Sequence, residues 1–238
     1  MKAIVLAAGA STRLYPLTSS IPKWLLLVGG KTILEHQIES FIENGIDELI
    51  VVVGYKKETI IEFLSHKKYP LKITLIYNDS YEATGPIFGG LSLVRKYLSE
   101  QIIFSHCDVL FGTDALRILI SSPHESAMLY KKGSWDEEAG KIIVDSNGRV
   151  CELGKHIKKE DSTGEYLQIA KLGLEFCRSL DGVLSERVTT KRDGYTIDVF
   201  NDVIQQKQTT AIGIEFGGLV MEIDTHEDYE KAKREWSK

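Results

Sequence analysis

Between Ala3 and Ile120 a short apolar run gives way to a segment of helical spacing four times over, a pattern few architectures accommodate. Ala3-Ile4-Val5-Leu6-Ala7-Ala8 is unbroken and apolar until Gly9, as a strand buried on both faces requires. Thr32-Ile33-Leu34-Glu35 has capping-box spacing, and Ile33, Leu34, Ile38, Phe41 and Ile42 then recur at helical intervals up to Gly45. Residues 49–53 read as a strand and 58–64 as a helix. Strands at 71–76 and 102–104 and helices at 87–98 and 115–120 complete the alternation. Repeated β-then-α units need right-handed crossovers, which predicts an α/β fold: a Rossmann-like, doubly wound, mostly parallel mixed sheet with helices on both faces. Ligands of such sheets bind beyond the C-terminal ends of the strands.

The second half is richer in strands, expected at 127–130, 141–144, 150–153 and 167–172, with Asn147-Gly148 as a hairpin turn. A helix near 197–206, a last strand at 219–223 and a C-terminal helix to Trp236, capped by Thr225-His226-Glu227-Asp228, follow. This suggests a smaller β-rich extension of the same sheet. We therefore expect a single domain over 1–238, with one half at 1–122 and a second half with the C-terminal helix at 123–238.

Composition, 43% hydrophobic and 26% charged, is that of an ordinary globular chain. No apolar run reaches the roughly 20 residues that span a bilayer, and Gly9 comes too soon for a signal peptide, so a cytoplasmic protein with no membrane partner is expected. Cys107, Cys151 and Cys177 lie far apart without a C-x-x-C pair, so reduced and mostly buried thiols are expected rather than a disulfide framework. The chain carries a formal −5, yet its first 34 residues hold Lys2, Arg13, Lys23 and Lys31 and no acid. A small positive island on an acidic protein suits a discrete polyanionic ligand and argues against nucleic acid. Nothing in the sequence excludes a homo-oligomer.

The most specific stretch is Leu6-Ala7-Ala8-Gly9-Ala10-Ser11-Thr12-Arg13-Leu14, followed by Pro16-Leu17-Thr18 and Pro22-Lys23, directly after the first strand. Gly9 would let the backbone approach a ligand, Ser11 and Thr12 offer hydroxyl and amide donors, and Arg13 and Lys23 are expected to act as exposed loop cations for phosphate oxygens. Neither standard nucleotide loop is present. Gly30-Lys31-Thr32 has Leu25 where a P-loop needs glycine, and no G-x-G-x-x-G opens a helix.

Residues 9–23 resemble the N-terminal pattern of the nucleotidyltransferases that activate sugar phosphates and phosphoalcohols: Gly, Thr-Arg-Leu, Pro-Leu-Thr and Pro-Lys. Ala10-Ser11 departs from the Gly-x-Gly or Gly-Gly of many members. The resemblance implies that Arg13 and Lys23 hold the nucleotide phosphates and, with Lys155, serve catalysis. Leu6, Ala7, Ala8, Gly9, Ser11, Thr12, Thr84 and Gly85 would complete the nucleotide site, which makes 1–122 the nucleotide-binding half and 123–238 the acceptor-binding half by this resemblance. Asp108 of His106-Cys107-Asp108 and Asp224 of Glu222-Ile223-Asp224 match the family's metal-binding aspartates, and hard oxygen ligands suit Mg²⁺ as cofactor. A strand-end cap competes for Asp108 and a helix N-cap for Asp224. Zinc on His106 and Cys107 is disfavoured, because adjacent strand residues point to opposite faces. Lys155 matches the lysine that meets the acceptor phosphate, though it opens the basic run Lys155-His156-Ile157-Lys158-Lys159, and Glu165 and Asp198 are weaker acceptor-binding candidates.

Glu152-Leu153-Gly154-Lys155, Gly164-Glu165-Tyr166 and Glu222-Ile223-Asp224 look most like the phosphocholine, aminoalkylphosphonate and inositol-phosphate cytidylyltransferase branch. That likeness implies transfer of CMP from CTP to a small phosphorylated or phosphonate acceptor, with pyrophosphate released. A sugar-1-phosphate uridylyl-, thymidylyl- or guanylyltransferase is the runner-up. A glycosyltransferase ranks lower, lacking Asp-x-Asp at 106–108. A non-catalytic nucleotide sensor would not need both metal carboxylates.

Overall fold

The computed structural model describes residues 1–83, 85, 89–133, 138–190, 194–206 and 209–236. In order, its elements are β1 (Lys2–Ala7), β2 (Leu27–Val28), β3 (Lys31–Thr32), α1 (Ile33–Glu43), β4 (Glu48–Val53), α2 (Lys57–Ser65), β5 (Lys72–Tyr77), β6 (Ile102–His106), β7 (Val109–Phe111), α3 (Thr113–Ser121), β8 (Ala127–Lys131), β9 (Lys141–Val144), β10 (Val150–Gly154), β11 (Gly164–Leu172), α4 (Leu174–Thr189), α5 (Thr196–Gln205), β12 (Ile212–Glu215), β13 (Val220–Glu222) and α6 (His226–Trp236). The strands β6-β1-β4-β5 run parallel, and β11, β9 and β10 continue the sheet antiparallel beyond β6.

The apolar run at the N-terminus forms the centre of this sheet because it can be buried on both sides. Ala3, Val5 and Ala7 of β1 pack with α1, α2 and α3, while Ile4 and Leu6 pack with α4 and α5. β4 repeats the division, Val51 and Val53 to one face and Ile50 and Val52 to the other. Each such fully buried aliphatic side chain contributes about 1.5–3 kcal/mol, so the doubly wound sheet follows from residue type and alternation. The Thr32 hydroxyl accepts from the Glu35 amide, and the Glu35 carboxylate accepts from the Thr32 amide, the reciprocal cap expected for α1. Asp228 and Thr225 do the same for α6.

Several expectations are corrected. The segment expected as a helix over 87–98 is a run of 3₁₀ turns at Leu91–Tyr97 within the described residues, following Gly89-Gly90; Ile87 lies outside them. The 16-residue helix α4 was not expected at all. The last strand does not join the main sheet: β13 pairs antiparallel with β7 in a separate two-stranded ribbon. The cysteines are free, but only Cys177 is buried; Cys107 is half-buried and Cys151 exposed. Among the described residues no helix is long and apolar enough to cross a membrane.

Candidate active site

The loop after β1, the turn after β6 and the β7–β13 ribbon meet at one cleft of about 280 Å³ at the C-terminal edge of the parallel strands. Gly9, Ser11 and Arg13 line one wall. A Cβ on Gly9 would meet no protein atom within 4 Å, so the space this glycine keeps clear belongs to the cleft. Leu6, Ala8 and Gly85 line it as well, whereas Ala7 faces the opposite side of the sheet and Thr12 is exposed outside the lining. Thr84 falls outside the described residues. Tyr81 stands over Ala8 because Gly54 leaves room for it: a Cβ there would lie 2.8 Å from both the Ala8 carbonyl oxygen and the Tyr81 Cβ.

The ribbon explains how carboxylates 116 positions apart converge. Pairing of Glu222 with Val109, and the hydrogen bond from the Ile223 amide to the Asp108 carbonyl (2.9 Å), set Asp108 beside the Glu222-Ile223-Asp224 segment. The Asp108, Glu222 and Asp224 carboxylates each offer an oxygen within 4.8 Å of the others. Glu222 was not among the expected ligands; it ends β13, two residues before Asp224, and that spacing next to a strand end is the signal that pointed to it. Gln37, fully buried, clamps the turn that carries Asp108. Its amide donates to the His106 and Val109 carbonyls at 2.8 and 2.6 Å, and its oxygen accepts from Trp24 Nε1 at 3.0 Å.

Lys23 is not the exposed loop cation that its surroundings in the sequence suggest. Trp24 and Leu25 anchor its 3₁₀ turn in the core, and the lysine side chain is 4% exposed with Nζ 3.1 Å from Asp108 and 2.6 Å from Asp224. Burial opposes its charge, but the two aspartates outweigh burial and hold the ammonium above the usual lysine range. Arg13 remains exposed and donates to the other Asp224 oxygen at 2.6 Å. The positive island is also corrected, since Lys2 pairs with Glu48 and Glu100, and Lys31 with Glu39.

Two cations against three carboxylates leave this cluster one charge short of neutral. The imbalance falls on Glu222, whose carboxyl is pushed up to about 8 by burial first and then by Asp108 and Asp224. An oxygen-only donor set, two of whose members already bracket the Lys23 ammonium, fits a hard divalent cation such as Mg²⁺, which would displace the Glu222 proton on binding. Cys107 and His106 line the cleft without joining the cluster.

Lys155 Nζ lies 4.7 Å from the centre of the Tyr195 ring, and both residues line the cleft with Thr196 at the start of α5. Glu165, on β11, does not line it, and the Asp198 carboxylate accepts from the Tyr195 amide (2.8 Å) as the cap of α5.

Parallel strands that deliver a glycine-bearing loop, three carboxylates and two cations to one cleft place the chain among the α/β proteins of Rossmann-like build. Within that class it belongs to the nucleotidyl transferase family, whose model matches residues 2–153. It is 32% identical over 192 residues to the bifunctional protein GlmU of Methanococcus maripaludis, covering 81% of this chain but only 44% of that protein. It is 28% identical to the CTP:phosphoglutamine cytidylyltransferase of Campylobacter jejuni, over 97% of this chain and 98% of that one. Identity to the UTP–glucose-1-phosphate uridylyltransferase AglF of Haloferax volcanii is also 28%, over 98% and 96%. The solved CTP:phosphocholine cytidylyltransferase LicC of Streptococcus pneumoniae shares the fold, with a TM-score of 0.80 and 24% identity over 99% of this chain and 98% of that one.

Proposed function

We propose that the protein is a Mg²⁺-dependent nucleotidyltransferase that moves CMP from CTP to a small phosphorylated or phosphonate acceptor and releases pyrophosphate. The observation that carries this reading is the convergence of Asp108, Glu222 and Asp224 within 4.8 Å at the foot of a cleft walled by the Gly9–Arg13 loop. The likeness over nearly the whole chain to a relative named for CTP supports the choice of base.

In this reading Gly9, Ser11 and Gly85 receive the nucleotide, and Arg13, the exposed cation, meets its phosphates with charge-assisted hydrogen bonds. Asp108 and Asp224, with Glu222, would hold the Mg²⁺, which would supply charge neutralisation at the triphosphate. Lys23 acts from behind the aspartates, fixing both carboxylates and adding positive potential beneath the reacting phosphate. Lys155 anchors the acceptor phosphate or phosphonate. An acceptor oxygen, ionised near neutral pH, forms the new bond to the α-phosphorus. The bond from that phosphorus to the α–β bridging oxygen breaks, and its electron pair leaves with pyrophosphate. No general base is required, and positioning of two anions carries much of the rate.

A pyrophosphate-release screen of CTP, UTP, dTTP and GTP against phosphocholine, aminoethylphosphonate, inositol 1-phosphate and glucose 1-phosphate tests the reading. Release with CTP and one of the first three acceptors is expected. Release confined to UTP and glucose 1-phosphate would favour the sugar-nucleotide alternative, which the likeness to AglF supports. Nucleotide binding without release under any pairing would favour a sensor.

A further inference from the structure

Gln168 has φ of +60° in the middle of β11, a conformation that costs a non-glycine residue energy and that glycine adopts freely. The other two non-glycine residues of positive φ among those described, Ser11 and Lys56, sit at the starts of helical turns, where the chain changes direction anyway. Gln168 instead lies where the ladder breaks. Pairing of β11 with β8 jumps from Tyr166–Tyr130 to Ala170–Met128, so β11 carries two more residues than its partner across this interval. On its other edge β11 pairs with β9 only at Gly164 and Glu165 and with β6 only from Ala170 onward. The interruption between those pairings puts Gln168 in the cleft lining, beside the carboxylate cluster. Its amide nitrogen lies 3.4 Å from Glu222 Oε2, and its carboxamide oxygen accepts no hydrogen bond from the described residues.

A costly backbone conformation that carries a polar side chain into a site is strain of the kind that function sustains. We propose that Gln168 is a specificity-determining residue whose carboxamide oxygen accepts a hydrogen bond from an amine or hydroxyl of the acceptor. The inference rests on the transferase reading above and narrows its acceptor to a phosphate or phosphonate that bears an N–H or O–H donor.

The test compares wild type, Q168A and Q168G in thermal melts and in pyrophosphate release, with acceptor varied at saturating CTP and CTP varied at saturating acceptor. The acceptors are phosphoethanolamine and inositol 1-phosphate, which carry donors, and phosphocholine, whose quaternary ammonium carries none. Wild type should prefer a donor-bearing acceptor, and both variants should raise the KM of that acceptor roughly 3–10-fold, the loss of one hydrogen bond. The KM values for CTP and phosphocholine should move less than about twofold. Q168G should melt above Q168A, because both lose the amide and only glycine relieves the backbone. Wild type turning over phosphocholine best, variants keeping the wild-type acceptor KM, or Q168G melting below Q168A would each overturn the inference. Failure of wild type with every triphosphate and acceptor would instead contradict the transferase reading, an outcome separate from variants that match an active wild type.

Discussion

Lys23→Ala removes a cation that the fold has enclosed between two carboxylates. Its side chain is 4% exposed, and Asp108 and Asp224, at 3.1 and 2.6 Å, are themselves only 21% and 24% exposed. The substitution leaves them with Arg13, which is 59% exposed and reaches only Asp224. Breaking a buried pair by deleting one partner costs roughly 3–5 kcal/mol, and the partial access of water to the aspartates favours the lower figure. In a domain of this size about 3 kcal/mol lowers Tm by roughly 6–12 °C. Thermal melting in EDTA should show that fall, and Lys23→Met, which keeps most of the aliphatic stem, should show most of it. Adding Mg²⁺ should raise the Tm of either variant by more than it raises wild type, because the stranded carboxylates gain a replacement cation. A Lys23→Ala protein that melts within about 2 °C of wild type and responds to Mg²⁺ no differently would refute the assigned role.

Asp108→Asn and Asp224→Asn should each lower kcat by roughly 10²–10³-fold. The double variant should be little worse in the same pyrophosphate assay, since the two act as one unit; additive losses would argue against a shared cation. Gln37→Leu leaves the Trp24 indole N–H and the His106 and Val109 carbonyls without their partner, so urea unfolding should report a loss of roughly 2–4 kcal/mol, with kcat falling as the Asp108 turn loosens. Arg13→Ala should weaken CTP binding roughly 5–150-fold by calorimetry while leaving the melting temperature near wild type, because an exposed ion pair adds little to stability.

Elements whose own residues dictate them were legible in the sequence. β1 and β4 are apolar on both faces, and α1 carries its cap and its apolar stripe in one segment. α4 was missed although Phe176, Cys177, Leu180, Val183, Leu184 and Arg187 fall on one buried face, because Asp181-Gly182 and Ser185-Glu186 interrupt the run. The convergence of Asp108 and Asp224 was reached through family resemblance, but its mechanism, a two-stranded ribbon apart from the sheet, depends on a long-range pairing that no local pattern encodes. Burial of Lys23 was hidden for the same reason. A lysine in a Pro-Lys loop reads as solvated until Trp24 and Leu25 are seen to pull the turn inward onto Gln37 and the core. The strained backbone at Gln168 arises from a mismatch between two strand pairings and leaves no mark in composition or spacing.

The fate of the α-phosphate tests the central claim most directly. Wild-type protein incubated with Mg²⁺, a donor-bearing acceptor and CTP labelled separately at the α- and γ-phosphates should place the α-label in a new acceptor–CMP phosphoanhydride and the γ-label in pyrophosphate, in equal amounts. Release of the γ-label as inorganic phosphate, or recovery of the α-label as free CMP whether or not acceptor is present, would mean that the cleft hydrolyses nucleotides rather than transferring them and would contradict the proposed function.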